Sequence, residues 1–157
     1  MQLATQPQAL HVVGIALRTH NGEAFETIPA HWARFSQAQL AERLPHRQSD
    51  HVYAVYTHFE KAGVDIGGVY TMVIGHAVPA HTPKLPPEGL THVVAPASQR
   101  AVFSVEKGRF DLVVAQWRII WAMGDLQKTA LADYERYQPD GSSDIHIGVR
   151  ESAHDPA

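Results

Sequence analysis

One glutamate, Glu135, stands between tyrosines in the run Tyr134-Glu135-Arg136-Tyr137. A carboxylate walled by apolar and aromatic groups is poorly solvated, so a cation that pairs with it recovers a large electrostatic term. Each aromatic face adds roughly 0.5–2 kcal/mol of cation–π attraction when desolvated. Trp32, Trp117 and Trp121 supply such faces on two helical stripes, with Phe35 beside the first. Tyr56 and Tyr70 lie in strand-like runs, where each can offer a ring and a hydroxyl to a cavity. Aromatic walls around one buried acid suit a flat, apolar, cationic small molecule. Plainer readings stand beside this one. Glu135 could face solvent or pair with Arg136 or Arg118, tryptophan on an apolar helix face is usually core, and tyrosine in a strand often just packs a sheet.

Other chemistries find little support. The 157 residues contain no cysteine, which excludes disulfides, thiolate nucleophiles and Cys-ligated zinc. Eleven histidines show no metal-ligand spacing on one element, so scattered surface histidine and no metal are expected. Asn21-Gly22 and Gly67-Gly68 are turn chemistry rather than phosphate cradles, and no Gly-x-Ser-x-Gly elbow or cofactor motif occurs. A formal net charge of −3 without a basic cluster argues against nucleic-acid binding. No apolar run approaches a membrane span and no signal pattern opens the chain, so a cytoplasmic location is expected.

The elements that must position these residues follow one order twice: strand, helix, strand, strand. His11 to Arg18 is an apolar strand-length run that stops at Asn21-Gly22. Thr27 is the expected N-cap of a helix with Pro29 in its first turn, carrying Ile28, Trp32, Phe35, Leu40 and Leu44 and ending before Pro45. His51 to Phe59 and Val69 to Val78 read as strands. A Pro-rich connector spans 79–90. Thr91 to Val105 is strand material broken at Pro96. From Phe110 to Met123, Phe110, Val113, Val114, Trp117, Ile120 and Trp121 form a helical stripe, with further apolar residues on the other side, so deep burial is expected. Leu131 to Tyr137 and Asp144 to Arg150 are the last strands, joined by a turn at Pro139-Asp140-Gly141. Along the first of these, alternation puts Asp133, Glu135 and Tyr137 on one face and Tyr134 and Arg136 on the other. Tyr53 and Tyr56 take opposite faces of their strand, so one of them at most lines a shared site. Residues 1–9 are expected to fray. The chain is thus read as one α+β domain over 1–157, with half-repeats at about 11–78 and 91–150.

With the elements placed, the chain resembles the gyrase-inhibitor-like (GyrI-like) small-molecule-binding domains, which also form the effector-binding half of bacterial transcription activators. The likeness rests on Val12-Val13-Gly14-Ile15, on Ile28 to Phe35, on Tyr53-Ala54-Val55-Tyr56 and on Gly68 to Gly75. Trp117-Arg118-Ile119-Ile120-Trp121 and Tyr134-Glu135-Arg136-Tyr137 extend it over nearly the whole length. The resemblance implies a pseudo-twofold pair of βαββ units in an antiparallel sheet, with two helices forming a ligand groove. It implies that Glu135 points into the cavity, and it makes Trp32, Phe35, Tyr56, Tyr70, Trp117, Trp121, Glu135 and Tyr137 the candidate ligand-binding residues. Phe110, at the helix start, ranks below the tryptophans. No helix-turn-helix precedes the domain, so a stand-alone binder or sensor without direct DNA contact is expected. Two alternatives remain. One is a hydrolase of reactive small molecules, with Glu135 as base and Tyr56 or Tyr70 as acid. The other is a gyrase-inhibitor-like modulator that binds a protein partner.

Overall fold

The computed structural model describes residues 1–81 and 86–150. The connector's residues 82–85 and the polar tail from Glu151 lie outside the described residues. The elements run β1 (Gln2–Gln6), β2 (Leu10–His20), α1 (Ala24–Ala38), α2 (Leu40–Arg43), β3 (Val52–Thr57) and β4 (Val69–Val78). Then come β5 (Thr91–Ala95), β6 (Ser98–Val105), α3 (Phe110–Ala122), β7 (Ala132–Tyr137) and β8 (Ser143–Val149). The fold is α+β: one eight-stranded sheet in the order β1-β6-β8-β7-β3-β4-β2-β5, antiparallel at every pair. Among the described residues no helix is long and apolar enough to cross a membrane.

The N-terminus departs from expectation. Residues 2–6 do not fray but pair with β6, from Gln2 opposite Val102 to Gln6 opposite Ser98. The Gln6 amide anchors that end: its Nε2 donates to Ala95 O at 3.1 Å, and its Oε1 accepts from Arg100 Nε at 3.0 Å. These side-chain bonds hold a segment whose own sequence carries little apolar content. The following strand material also divides as an exchange of partners. β5 leaves β6 and pairs with β2, through Leu10 opposite Ala95 and Gly14 opposite Thr91.

The first helix begins earlier than its cap signal suggested. Glu23, not Thr27, is the N-cap, and its carbonyl accepts from the backbone N–H groups of Glu26 and Thr27. The Thr27 hydroxyl instead lies 2.8 Å from that of Thr19, tying α1 to the end of β2. Pro29 therefore sits inside the helix rather than at its start. The same helix breaks at Gln39, whose φ of 49° and ψ of 50° are left-handed, so that Leu40–Arg43 form a separate turn. The break turns Leu40 and Leu44 into a cluster with Val13, Val78 and Leu90.

The α3 stripe is helical as expected, but its burial is not all round. Val113 and Ile120 are buried against Phe103, Ile145 and Ile147, whereas Val114, Ile119 and Trp121 are 57%, 56% and 44% exposed. The sheet covers one side of this helix only; another side forms part of a cavity. Two histidines also differ from the expected surface scatter: His31 and His76 are buried. His31 Nε2 donates to Ile15 O at 3.0 Å while its Nδ1 accepts from Arg34, and His76 Nδ1 donates to His51 O at 2.9 Å. Burial lowers the pKa of both, which favours neutral rings with each nitrogen in a defined role.

Candidate functional site: a cavity with buried acids

A cavity of about 880 Å³ opens between the helices and the sheet. Its wall from α1 includes Phe25, Ile28 and Trp32, and α3 contributes Phe110, Trp117 and Trp121. The floor carries Tyr56 from β3, Tyr70 from β4, and Asp133, Glu135 and Tyr137 from β7. That the floor residues lie together follows from strand pairing. β3 and β7 are neighbours with Ala54 opposite Glu135 and Tyr56 opposite Asp133, so alternation sends Tyr56, Asp133, Glu135 and Tyr137 to the helix side.

Glu135 is 3% exposed and forms no ion pair among the described residues. Neither arginine considered for it is its partner: Arg136 binds Asp144 at 2.8 Å on the other face of the sheet, and exposed Arg118 stands on α3 at the cavity. Three uncharged donors meet the carboxylate instead. Tyr56 O–H and Trp117 Nε1–H both donate to Oε2 at 2.7 Å, and Tyr137 O–H donates to Oε1. Burial pushes the Glu135 pKa up, while the hydrogen bonds from Tyr137, Tyr56 and Trp117 pull it back. Burial, and after it the charge of Glu135, raises the phenols: Tyr70 to about 12, and Tyr56 and Tyr137 well above their ordinary value. These phenols therefore stay protonated as donors. The arrangement satisfies the carboxyl oxygens without a basic neighbour. Removing one donor should raise the Glu135 pKa further, since each of these hydrogen bonds favours the charged form. NMR titration of Tyr137→Phe against the wild type reads this directly; an unmoved midpoint would remove Tyr137 from the account.

The aromatic residues pack mainly edge to face. Trp32 meets Tyr137 at 5.2 Å with rings 83° apart, and Trp117 meets Tyr56 at 5.2 Å and 65°. Trp121 lies 6.0 Å from Trp117. Tyr70 O–H donates to Asn21 Oδ1 at 3.0 Å, and its ring lies 5.8 Å from that of Tyr56. Phe35 is placed elsewhere: it does not line this cavity but packs beneath α1, edge-on to Trp32 and 6.0 Å from His76. Tyr53, on the far face, lies 5.8 Å from Tyr134.

Phe110 and Asp133 are among the lining residues outside the candidate set. Phe110, ranked below the tryptophans, stacks on Tyr137 at 5.2 Å and 13° while remaining 63% exposed. Asp133 shares the face of Glu135, as alternation predicts, and lines the cavity as a second acid. It is 2% exposed, and its Oδ1 accepts from Gly148 N–H at 2.8 Å. Burial raises its pKa from 3.8 to about 6, opposed by that hydrogen bond and by Arg100 and Lys128. Because the folded state binds this proton more tightly than the unfolded chain, the contribution of Asp133 to stability falls as pH rises from 3.8 to about 6. Chemical denaturation should therefore show Asp133→Asn gaining on the wild type between pH 4 and pH 7. A difference independent of pH would refute the assignment.

Among the described residues, no group of three or more His, Asp or Glu side chains is arranged to hold a metal ion. No protein-family model and no curated protein matches the chain. Solved structures do resemble it. An integron cassette protein from the mobile metagenome of Vibrio cholerae superposes with a TM-score of 0.71 at 19% identity, covering 95% of each chain. A Staphylococcus aureus protein provisionally described as a bacterial transcription regulation protein gives 0.70 at 16% identity, over 96% of this chain and 97% of its own. SAV2435, in a structure bound to tetraphenylphosphonium, gives 0.74 at 16% identity, over 95% of this chain and 93% of its own. At these identities the likeness is one of fold.

Proposed function

We propose that the protein is a small-molecule binder of the gyrase-inhibitor-like class, capturing a hydrophobic aromatic cation between α1 and α3. The observation that carries this is Glu135, a buried carboxylate at an aromatic cavity, held by three uncharged donors and by no basic side chain among the described residues. A site already neutralised by Arg or Lys would gain little from a cation; this one gains an opposite charge in a poorly solvated place. The strand order supports the reading of two βαββ units, β2-α1-β3-β4 and β6-α3-β7-β8, meeting at β3 and β7. The tetraphenylphosphonium bound to SAV2435 is an aromatic cation of the class proposed here. A sensor role in transcription regulation accords with the Staphylococcus aureus protein. The three donors also bear on the hydrolase alternative. A carboxylate whose oxygens already accept three hydrogen bonds keeps one acceptor position, on Oε1, and those bonds lower its basicity toward water.

Titration of intrinsic tryptophan fluorescence tests the proposal. Trp32, Trp117 and Trp121 all line the cavity, so its occupancy should change their emission. Saturable quenching by tetraphenylphosphonium, with a weaker response to neutral triphenylphosphine oxide, is expected. No saturable response to either compound would overturn the reading.

A further inference from the structure

We propose that Asp133 is a second anionic subsite of the cavity, so that the protein prefers ligands carrying two positive centres over matched ligands carrying one. The inference rests on the cation-binding reading above and extends it to the ligand's charge pattern. Asp133 lines the same cavity as Glu135 and lies two residues before it on β7. Strand geometry sets their Cα atoms about 6.8 Å apart with both side chains on one face, so one molecule can reach both.

The second carboxylate is not used up by the fold. Gly148 N–H holds Oδ1, whereas no described protein group donates to Oδ2. The nearby guanidinium of Arg100 is directed elsewhere, to Gln6 Oε1, Ala132 O and Pro96 O, and Lys128 Nζ donates to Met123 O. Among the described residues neither base forms a salt bridge with Asp133. A buried carboxylate with one oxygen tethered and the other unpartnered presents negative charge that no protein group pairs with, and a ligand's positive centre gains by meeting it. Burial raises its pKa only to about 6, so it remains mostly ionised at neutral pH. The two acids also differ in surroundings. Glu135 is ringed by aromatic donors and suits a delocalised ring cation, while Asp133 has an oxygen without a protein donor and suits a compact positive centre on a short arm.

Ethidium and propidium provide a matched pair: the same aromatic cation, with propidium adding a quaternary ammonium on a propyl arm. Calorimetric titration of the wild type at pH 7.5 should give propidium at least about five-fold tighter binding, because the second contact is made intramolecularly. In Asp133→Asn, which keeps an acceptor for Gly148 N–H, the ratio of the two affinities should fall toward one. In Glu135→Gln both dyes should weaken. Equal wild-type affinities, or a ratio unchanged in Asp133→Asn, would overturn the second subsite while leaving cation binding intact. Binding of neither dye would overturn both readings. The wild-type comparison decides the matter even if a variant does not fold.

Discussion

Replacing Glu135 with glutamine is expected to weaken binding of an aromatic cation by about 30-fold or more, since losing one partner of a buried charge pair costs about 2 kcal/mol or more. A neutral aromatic compound of similar shape should lose far less. The geometry makes the difference specific. Trp117 and Tyr56 both donate to Oε2, so a glutamine can satisfy them only through its single carbonyl oxygen, with its amide turned toward Tyr137. Some rearrangement of the aromatic wall therefore accompanies the loss of charge, and the neutral compound reports that part alone. Calorimetric titration of both compounds against both proteins separates the two effects. Equal losses would mean that the carboxylate only shapes the cavity. The variant should not be less stable than the wild type at neutral pH, because removing a buried charge without an ionic partner relieves a desolvation cost. Thermal melting checks that point.

Substituting alanine for Gly75 is expected to destabilise the protein by about 3 kcal/mol or more, among the largest effects of any single substitution. Gly75 lies opposite Gly14 in the β2–β4 ladder. A Cβ at position 75 would stand 2.0 Å from Val13 O, and one at position 14 would stand 2.0 Å from Ile74 O. Both obstacles are backbone atoms in the middle of the sheet, so no side-chain rotation can relieve them. For a chain of this size the melting temperature should fall by roughly 6–12 °C. Gly89 provides the control: nothing lies within 4 Å of a Cβ there, although its φ of 82° imposes a cost of its own. A Gly75→Ala protein that melts within about 2 °C of the wild type would show that the strands can separate locally, contrary to the packing argument.

Much of the local structure was legible. The spacing from Phe110 to Trp121 specified a helix because side chains three and four residues apart share a face whatever the helix packs against. Alternation along Asp133-Tyr134-Glu135-Arg136-Tyr137 assigned faces because a strand's side chains must point to opposite sides. The boundaries of β4 and the turns after β2 and β7 followed from Val and Gly placement in the same local way. The helix start was less legible. Thr27 had the chemistry of a cap, but the carbonyl of Glu23 began the helix a turn earlier and left the Thr27 hydroxyl to meet Thr19.

What no local pattern contained was the choice of partners. Gln2–Gln6 looked like a frayed end because its stability comes from β6 and from the Gln6 contacts, nearly a hundred residues away in sequence. β5 looked like the opening of the second half, yet it pairs with β2. Phe110 seemed marginal on its helix until Tyr137 arrived beneath it. The sequence by itself determined that a glutamate sits among aromatics on a strand, with tryptophans on two helices, since those facts depend only on residue type and period. Tertiary structure alone decided that Tyr56, Trp117 and Tyr137 converge on that glutamate and that Asp133 joins it. Convergence of groups from β3, α3 and β7 depends on how strands pair and helices pack, and those choices are settled by burial summed over the whole chain.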